Sequence, residues 1–146
     1  MMQSYNNLII PSRYPNLALW MDAADASTIT DAGGFASQWN DKGPTALSYT
    51  GLATERPAII ASAYNGLSCL RFDGSNDKLT LGNTSLGQNI GGATVYAVAK
   101  WSAAPTTTRT LLNINTSGAT GNARISMHGG VASGKWNVGG RRLDAN

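Results

Sequence analysis

The chain has 146 residues, room for one domain with a real hydrophobic core and not comfortably for two. Hydrophobic residues make up 42% and charged ones only 13%, about half the usual share, with Ser, Thr, Asn and Gly in their place. This is a globular composition, and its polar, uncharged, turn-rich surface is common in extracellular and virion β-proteins.

The first residues, MMQSYNNLIIPSRYPN, carry no basic region, and the apolar run Leu8-Ile9-Ile10 is too short for a signal peptide. No stretch approaches the ~20 apolar residues of a membrane span. The chain as written therefore reads as soluble and made in the cytoplasm. If it works outside a cell, something other than its own signal takes it there, as release of virus particles by lysis would. The Met-Met start is that of a native N-terminus. Residues 1–14 read as an extended arm, because Pro11 and Pro15 disfavour regular structure there. Leu8, Ile9 and Ile10 form the one apolar patch of that arm, suited to assembly against a neighbour. Residues 15–146 read as the domain.

Helical periodicity is almost absent. Short runs rich in β-branched and aromatic residues recur between Gly, Asn, Asp, Ser and Pro, which predicts an all-β sandwich or barrel. Leu17–Met21 is expected as the first strand, anchored by Trp20. Ala23–Thr30 is expected as a loop with one helical turn capped by Asp25. Phe35–Trp39 follows the Gly33-Gly34 turn as a second strand, and Leu47–Tyr49 and Ala58–Ile60 flank a loop. Leu70–Gly82 is the strongest hairpin signal, with Asp73-Gly74-Ser75-Asn76-Asp77 as its turn. Thr94–Trp101 is the best single strand. Its faces, Val95, Ala97, Ala99 and Trp101 against Tyr96 and Val98, are both apolar, as in a central strand. Thr110–Ile114, Arg124–Met127 and Lys135–Val138 complete the series. Trp20, Phe72, Val95 and Ala97 are the expected core. Cys69 is the single cysteine, which excludes an internal disulfide, and its apolar surroundings suit a buried thiol.

Three blocks in order carry a family resemblance. They are Leu17-Ala18-Leu19-Trp20-Met21-Asp22-Ala23-Ala24-Asp25-Ala26-Ser27-Thr28-Ile29, then Ser37-Gln38-Trp39-Asn40-Asp41-Lys42, then Asn65-Gly66-Leu67 with Arg71-Phe72-Asp73-Gly74-Ser75-Asn76-Asp77. Over roughly residues 15 to 101 the chain resembles the laminin-G-like, concanavalin A-like lectin jelly rolls of bacterial and phage surface proteins. The resemblance implies an all-β fold, a two-sheet antiparallel jelly-roll sandwich. Two departures stand out. Gly43-Pro44-Thr45-Ala46 replaces an Asn-rich turn that could hold a ligand or an ion. The chain also stops at Asn146, before the later strands of such a fold. The sandwich is therefore expected to be incomplete at the C-terminus, through truncation or because a partner completes it, since open edge strands invite aggregation.

Catalytic chemistry is not expected. Glycosidases need two carboxylates across the substrate, and the only glutamate, Glu55, lies in an expected loop. A hydrolase triad needs a histidine base, and the only histidine, His128, has no carboxylate near it in sequence. His and Cys at zinc-ligand spacing are absent. No cofactor is expected. Asp73, Asn76 and Asp77 could offer oxygen ligands to calcium, but an Asx turn onto backbone N–H groups is the favoured account of that loop.

Charge divides along the chain. Through Ala99, five basic residues face seven acidic ones, leaving −2; from Lys100 onward, six face Asp144 alone, leaving +5. The basic charges are spaced along strand-like segments, so a solvated sheet face is favoured over nucleic-acid binding. Tyr49 and Trp136, with Asn137, are the candidate glycan-stacking residues, whereas Trp20 and Trp39 read as core. The expected function is that of a phage virion component (tail fibre, head fibre or baseplate-associated) whose lectin-like domain serves surface recognition or assembly. Its partners would be other virion proteins, copies of itself and cell-surface glycan. The alternatives are a carbohydrate-binding module of a secreted bacterial protein, located outside the cell or at its surface, and a protein–protein adhesion domain.

Overall fold

The computed structural model describes residues 10–81, 94–103, 107, 109–115, 124–129 and 136–141. The chain divides into two units, Met1–Gly82 and Asn83–Asn146. The described residues are all-β: eight strands, three small antiparallel sheets and two single turns of 3-10 helix, Pro11–Arg13 and Ala26–Thr28. None of their helices is long and apolar enough to cross a membrane.

In the first unit, β1 (Ile29–Asp31), β2 (Ala36–Asn40) and β3 (Ser48–Thr50) form a meander. Asp25 caps the helical turn before β1, its carboxylate accepting from the Ser27 amide, as expected from the sequence. The Gly33-Gly34 turn joins β1 to β2, and both glycines have positive φ. Residues directly opposite in neighbouring strands share a face. Ile29, Trp39 and Tyr49 form one such row, all half-buried, while Thr30, Gln38 and Thr50 form the next. Period-2 alternation thus gives this sheet an apolar face and a polar one. Asn40 extends the polar face: its Oδ1 accepts from Gln38 Nε2 at 2.9 Å and Ser48 Oγ at 2.7 Å.

β4 (Ala58–Tyr64) and β5 (Leu67–Arg71) form a hairpin closed by Asn65-Gly66, with Tyr64 opposite Leu67. Asn65 and Gly66 take φ of 49° and 78°, the left-handed pair that a two-residue hairpin turn requires. The hairpin joins the meander through main-chain bonds, Ala36 N to Pro57 O at 2.9 Å and Ile59 N to Gly34 O at 2.8 Å. Ala36, Pro57 and Thr28 are the buried residues of this unit.

In the second unit, β6 (Arg109–Asn115), β7 (Arg124–Gly129) and β8 (Trp136–Arg141) form a further antiparallel meander.

Several expectations are corrected. Leu17–Met21 is irregular, because its amide and carbonyl groups bond to side chains and to the 41–45 loop instead of a ladder. Leu70 and Arg71 do not pair with Lys78–Leu81. β5 pairs with β4 across the tighter Asn65-Gly66 turn, and Thr80 bridges to Thr50. Thr94–Trp101 joins no ladder among the described residues, so its alternation meets no partner strand. The expected core is not buried: Phe72 is 43% exposed, Val95 37%, Ala97 exposed and Trp20 half-buried. Phe72 lies just past the end of β5, where no second sheet covers it among the described residues.

Candidate functional site

The first two sequence blocks dock on each other around Asp41. Its Oδ1 accepts from the Trp20 amide and the Gly43 amide, each at 2.7 Å, and its Oδ2 from the Thr45 hydroxyl. Main-chain bonds from Lys42 N to Trp20 O and from Asp41 N to Leu47 O, both 2.8 Å, close the clamp. Burial works to raise the Asp41 pKa. The Thr45 hydroxyl and the amides of Trp20, Gly43 and Leu47 outweigh it and hold the carboxyl below its usual range.

Lys42 reaches back from the same loop. Its Nζ lies 3.0 Å from Asp22 Oδ2, 2.9 Å from Asp25 Oδ2 and 4.4 Å from the centroid of the Trp20 ring. Asp25 first and Asp22 second raise the Lys42 pKa. The Asp25 pKa falls to about 2, chiefly through the Ser27 hydroxyl, then Lys42, then the Ser27 amide. The carboxylates of Asp22, Asp25 and Asp41 are thus engaged in fixing an irregular segment, with amides, hydroxyls and one ammonium as partners.

The third block behaves in the same way. Asp73 Oδ1 accepts from the Ser75 amide at 2.7 Å, with the Asn76 and Asp77 amides at 3.3 and 3.4 Å. Asp77 Oδ2 accepts from the Asp73 amide at 2.8 Å, and Asn76 Nδ2 donates to Thr54 O at 2.6 Å. This is the Asx-turn geometry, with the oxygens that a cation would need directed to backbone N–H groups. No group of three or more His, Cys, Asp or Glu suited to a metal occurs among the described residues.

Tyr49 stands in β3 directly opposite Trp39, on the apolar face. Burial, then the charge of Asp41, raises its phenol pKa. The Trp39 indole N–H is buried and meets no acceptor among the described residues. Of the expected arm residues, Leu8 and Ile9 lie outside the described residues. Ile10 is half-buried, and its carbonyl accepts from Arg13 N at 3.0 Å.

Trp136 and Asn137 are consecutive in β8 and therefore fall on opposite faces. The register defines those faces. One carries the rows Asn115–Arg124–Arg141, Asn113–Ser126–Gly139 and Thr110–His128–Asn137. The other carries Ile114–Ile125–Gly140, Leu112–Met127–Val138 and Arg109–Gly129–Trp136. Exposure in β6 follows the same division: Thr110 and Asn113 are exposed, Leu112 and Ile114 half-buried. The irregularity between Thr110 and Leu112 inserts Leu111 as an extra residue and restores the alternation beyond it. Asn137 thus belongs to a polar face that also holds His128, and Trp136 to the apolar one. Reading single residues could not find this face, because it exists only once three strands are in register. The alternating polar positions of each strand were the available signal.

Comparison with protein-family models, with curated proteins and with solved structures finds no match.

Proposed function

We propose that the chain is a surface-recognition and assembly module of a virus particle, a phage appendage protein whose β-domain belongs to a lectin-like jelly-roll sandwich. The observation that carries recognition is the polar face of β6–β8. Its rows hold three asparagines, a serine, a threonine, a histidine and two arginines, with one glycine and no large apolar residue. Amides and hydroxyls on a regular sheet match the hydroxyl-rich surface of a sugar chain and are held with little entropy to lose. The virion assignment draws its support from the low charge of the sequence and from the three blocks that resemble phage and bacterial surface jelly rolls. Residues 1–14 serve as the attachment arm in this reading, with Leu8, Ile9 and Ile10 as its apolar contact.

The test is a glycan array probed with the full chain, together with the same chain applied to host cells before and after removal of surface polysaccharide. Retention on glycans and on intact cells, lost with the polysaccharide, is the expected result. Binding to neither refutes the recognition reading.

A further inference from the structure

The register of the second meander sets two positive charges face to face. Arg124 of β7 lies directly opposite Arg141 of β8, with Asn115 of β6 next in the row. Like charges directly opposite in an antiparallel pair destabilise it, so this arrangement favours a bound counter-charge. The chain does not supply one locally, since no Asp or Glu occurs between Asp77 and Asp144. The rest of the face is polar and uncharged apart from His128.

We propose that this face binds the anionic groups of an acidic polysaccharide. Arg124 and Arg141 take its carboxylate or sulfate groups, while Asn113, Asn115, Ser126 and Asn137 face the sugar hydroxyls. Guanidinium suits this task because its planar fork matches oxyanions with two parallel hydrogen bonds. Facing residues in a ladder lie about 4.5–5.5 Å apart, close enough for two forks to serve one anion or two adjacent ones. A sugar chain is favoured over nucleic acid because the three rows hold no aromatic residue for base stacking. The proposal rests on the recognition reading above and names the class of glycan.

The test measures binding of the full chain at low salt to polygalacturonate, dextran sulfate, neutral dextran and single-stranded DNA. Either or both acidic polymers should bind at least about tenfold more tightly than dextran, and salt should weaken them; comparing the two separates carboxylate from sulfate. Arg124→Gln and Arg141→Gln should each weaken that binding about tenfold, whereas Arg71→Gln in β5 should leave it unchanged. Arg124→Glu is the sharper variant: it should abolish binding while leaving the melting temperature equal or higher, because opposite charges then face each other across the ladder. A purely structural arginine would not separate those two readouts. Equal affinity for dextran and the acidic polymers, or full binding by both glutamine variants, overturns the inference while leaving glycan recognition standing. Tighter binding to DNA than to either acidic polymer overturns it in favour of nucleic acid. Binding to none of the four overturns it and removes support from the recognition reading as well.

Discussion

Replacing Asp41 tests whether one carboxylate organises the first unit. In Asp41→Ala the amides of Trp20 and Gly43 and the hydroxyl of Thr45 lose a common acceptor. A hydrogen bond to a charged group is worth about 1.5–3 kcal/mol, and an unsatisfied buried donor costs about 1–3 kcal/mol. The carboxylate is half-buried and Thr45 is exposed, so water recovers part of the loss. The expected cost is therefore about 3 kcal/mol, short of the sum of three full bonds, or on the order of 10 °C in melting temperature. Asp41→Asn keeps one oxygen acceptor and should cost roughly half as much. Urea unfolding followed by tryptophan fluorescence is the assay, since Trp20 hangs from one of the amides concerned. A double-mutant cycle of Asp41→Asn with Thr45→Val should show coupling of at least about 0.5 kcal/mol. A loss below about 1 kcal/mol for Asp41→Ala, or strict additivity in the cycle, would refute the view that this carboxylate fixes the two blocks together.

The pH dependence of stability should follow from the same cluster. Asp25 and Asp41 have folded pKa values below the ordinary 3.8, so their contribution is complete above about pH 5 and is lost as pH falls through about 4 toward 2. The urea midpoint should drop across that window, less steeply in Asp25→Asn. Lys42 is shifted upward from 10.5, so its contribution holds below that value and fades at higher pH, and Lys42→Met should remove the alkaline component. Phe72→Ala should cost about 1 kcal/mol, well short of the ~3–5 kcal/mol of a buried phenylalanine, because the ring is 43% exposed. A thermal melt that shows the larger loss would place it under a second layer. Gly66→Ala, at φ 78°, should cost about 1–2 kcal/mol, while Asn65→Gly should change stability by less than about 0.5 kcal/mol, as circular-dichroism melts can check. Melts with calcium and with a chelator should coincide, since Asp73 and Asp77 accept from backbone amides; a rise of several degrees with calcium would contradict that.

The sequence made the β-class, the Gly33-Gly34 turn, the Asp25 cap and the three late strands legible, because each depends on local chemistry: alternation, a positive-φ pair, an oxygen next to an orphan amide. What it hid depends on pairing. Asn65-Gly66 is the strongest two-residue hairpin signal in the chain, yet the longer Asp73–Asp77 turn was expected to form the hairpin. The tighter turn wins because it puts Leu67–Arg71 in register with Ala58–Tyr64 at the least loop cost. Leu17–Met21 and Thr94–Trp101 show the same limit from the other side. Both alternate as strands should, but a strand is a property of two segments, and these have no ladder partner among the described residues. The Trp136–Asn137 pair failed as a single surface for an equally simple reason: neighbours in a strand face opposite ways.

This pattern bears on where function lies in the chain. In the three blocks that resemble surface jelly rolls, the polar side chains work on the chain itself. Asp22 and Asp25 hold Lys42, Asp41 holds the Trp20 and Gly43 amides, and Asp73 and Asp77 hold their own turn. A carboxylate engaged in this way has little left to offer a ligand, and moving it would release the segment it fixes. Such residues keep irregular loops in place at the cost of any free chemistry there, so a resemblance carried by them speaks to architecture and leaves recognition open. The polar rows of β6–β8 present the opposite case. The backbone ladder alone fixes those strands, so alternate positions can change without undoing the sheet. A binding surface that must adapt to different partners is better built from such positions than from the clamps. This argues that changes to the polar rows of β6–β8 should alter binding before stability, whereas changes around Asp41 should alter stability first.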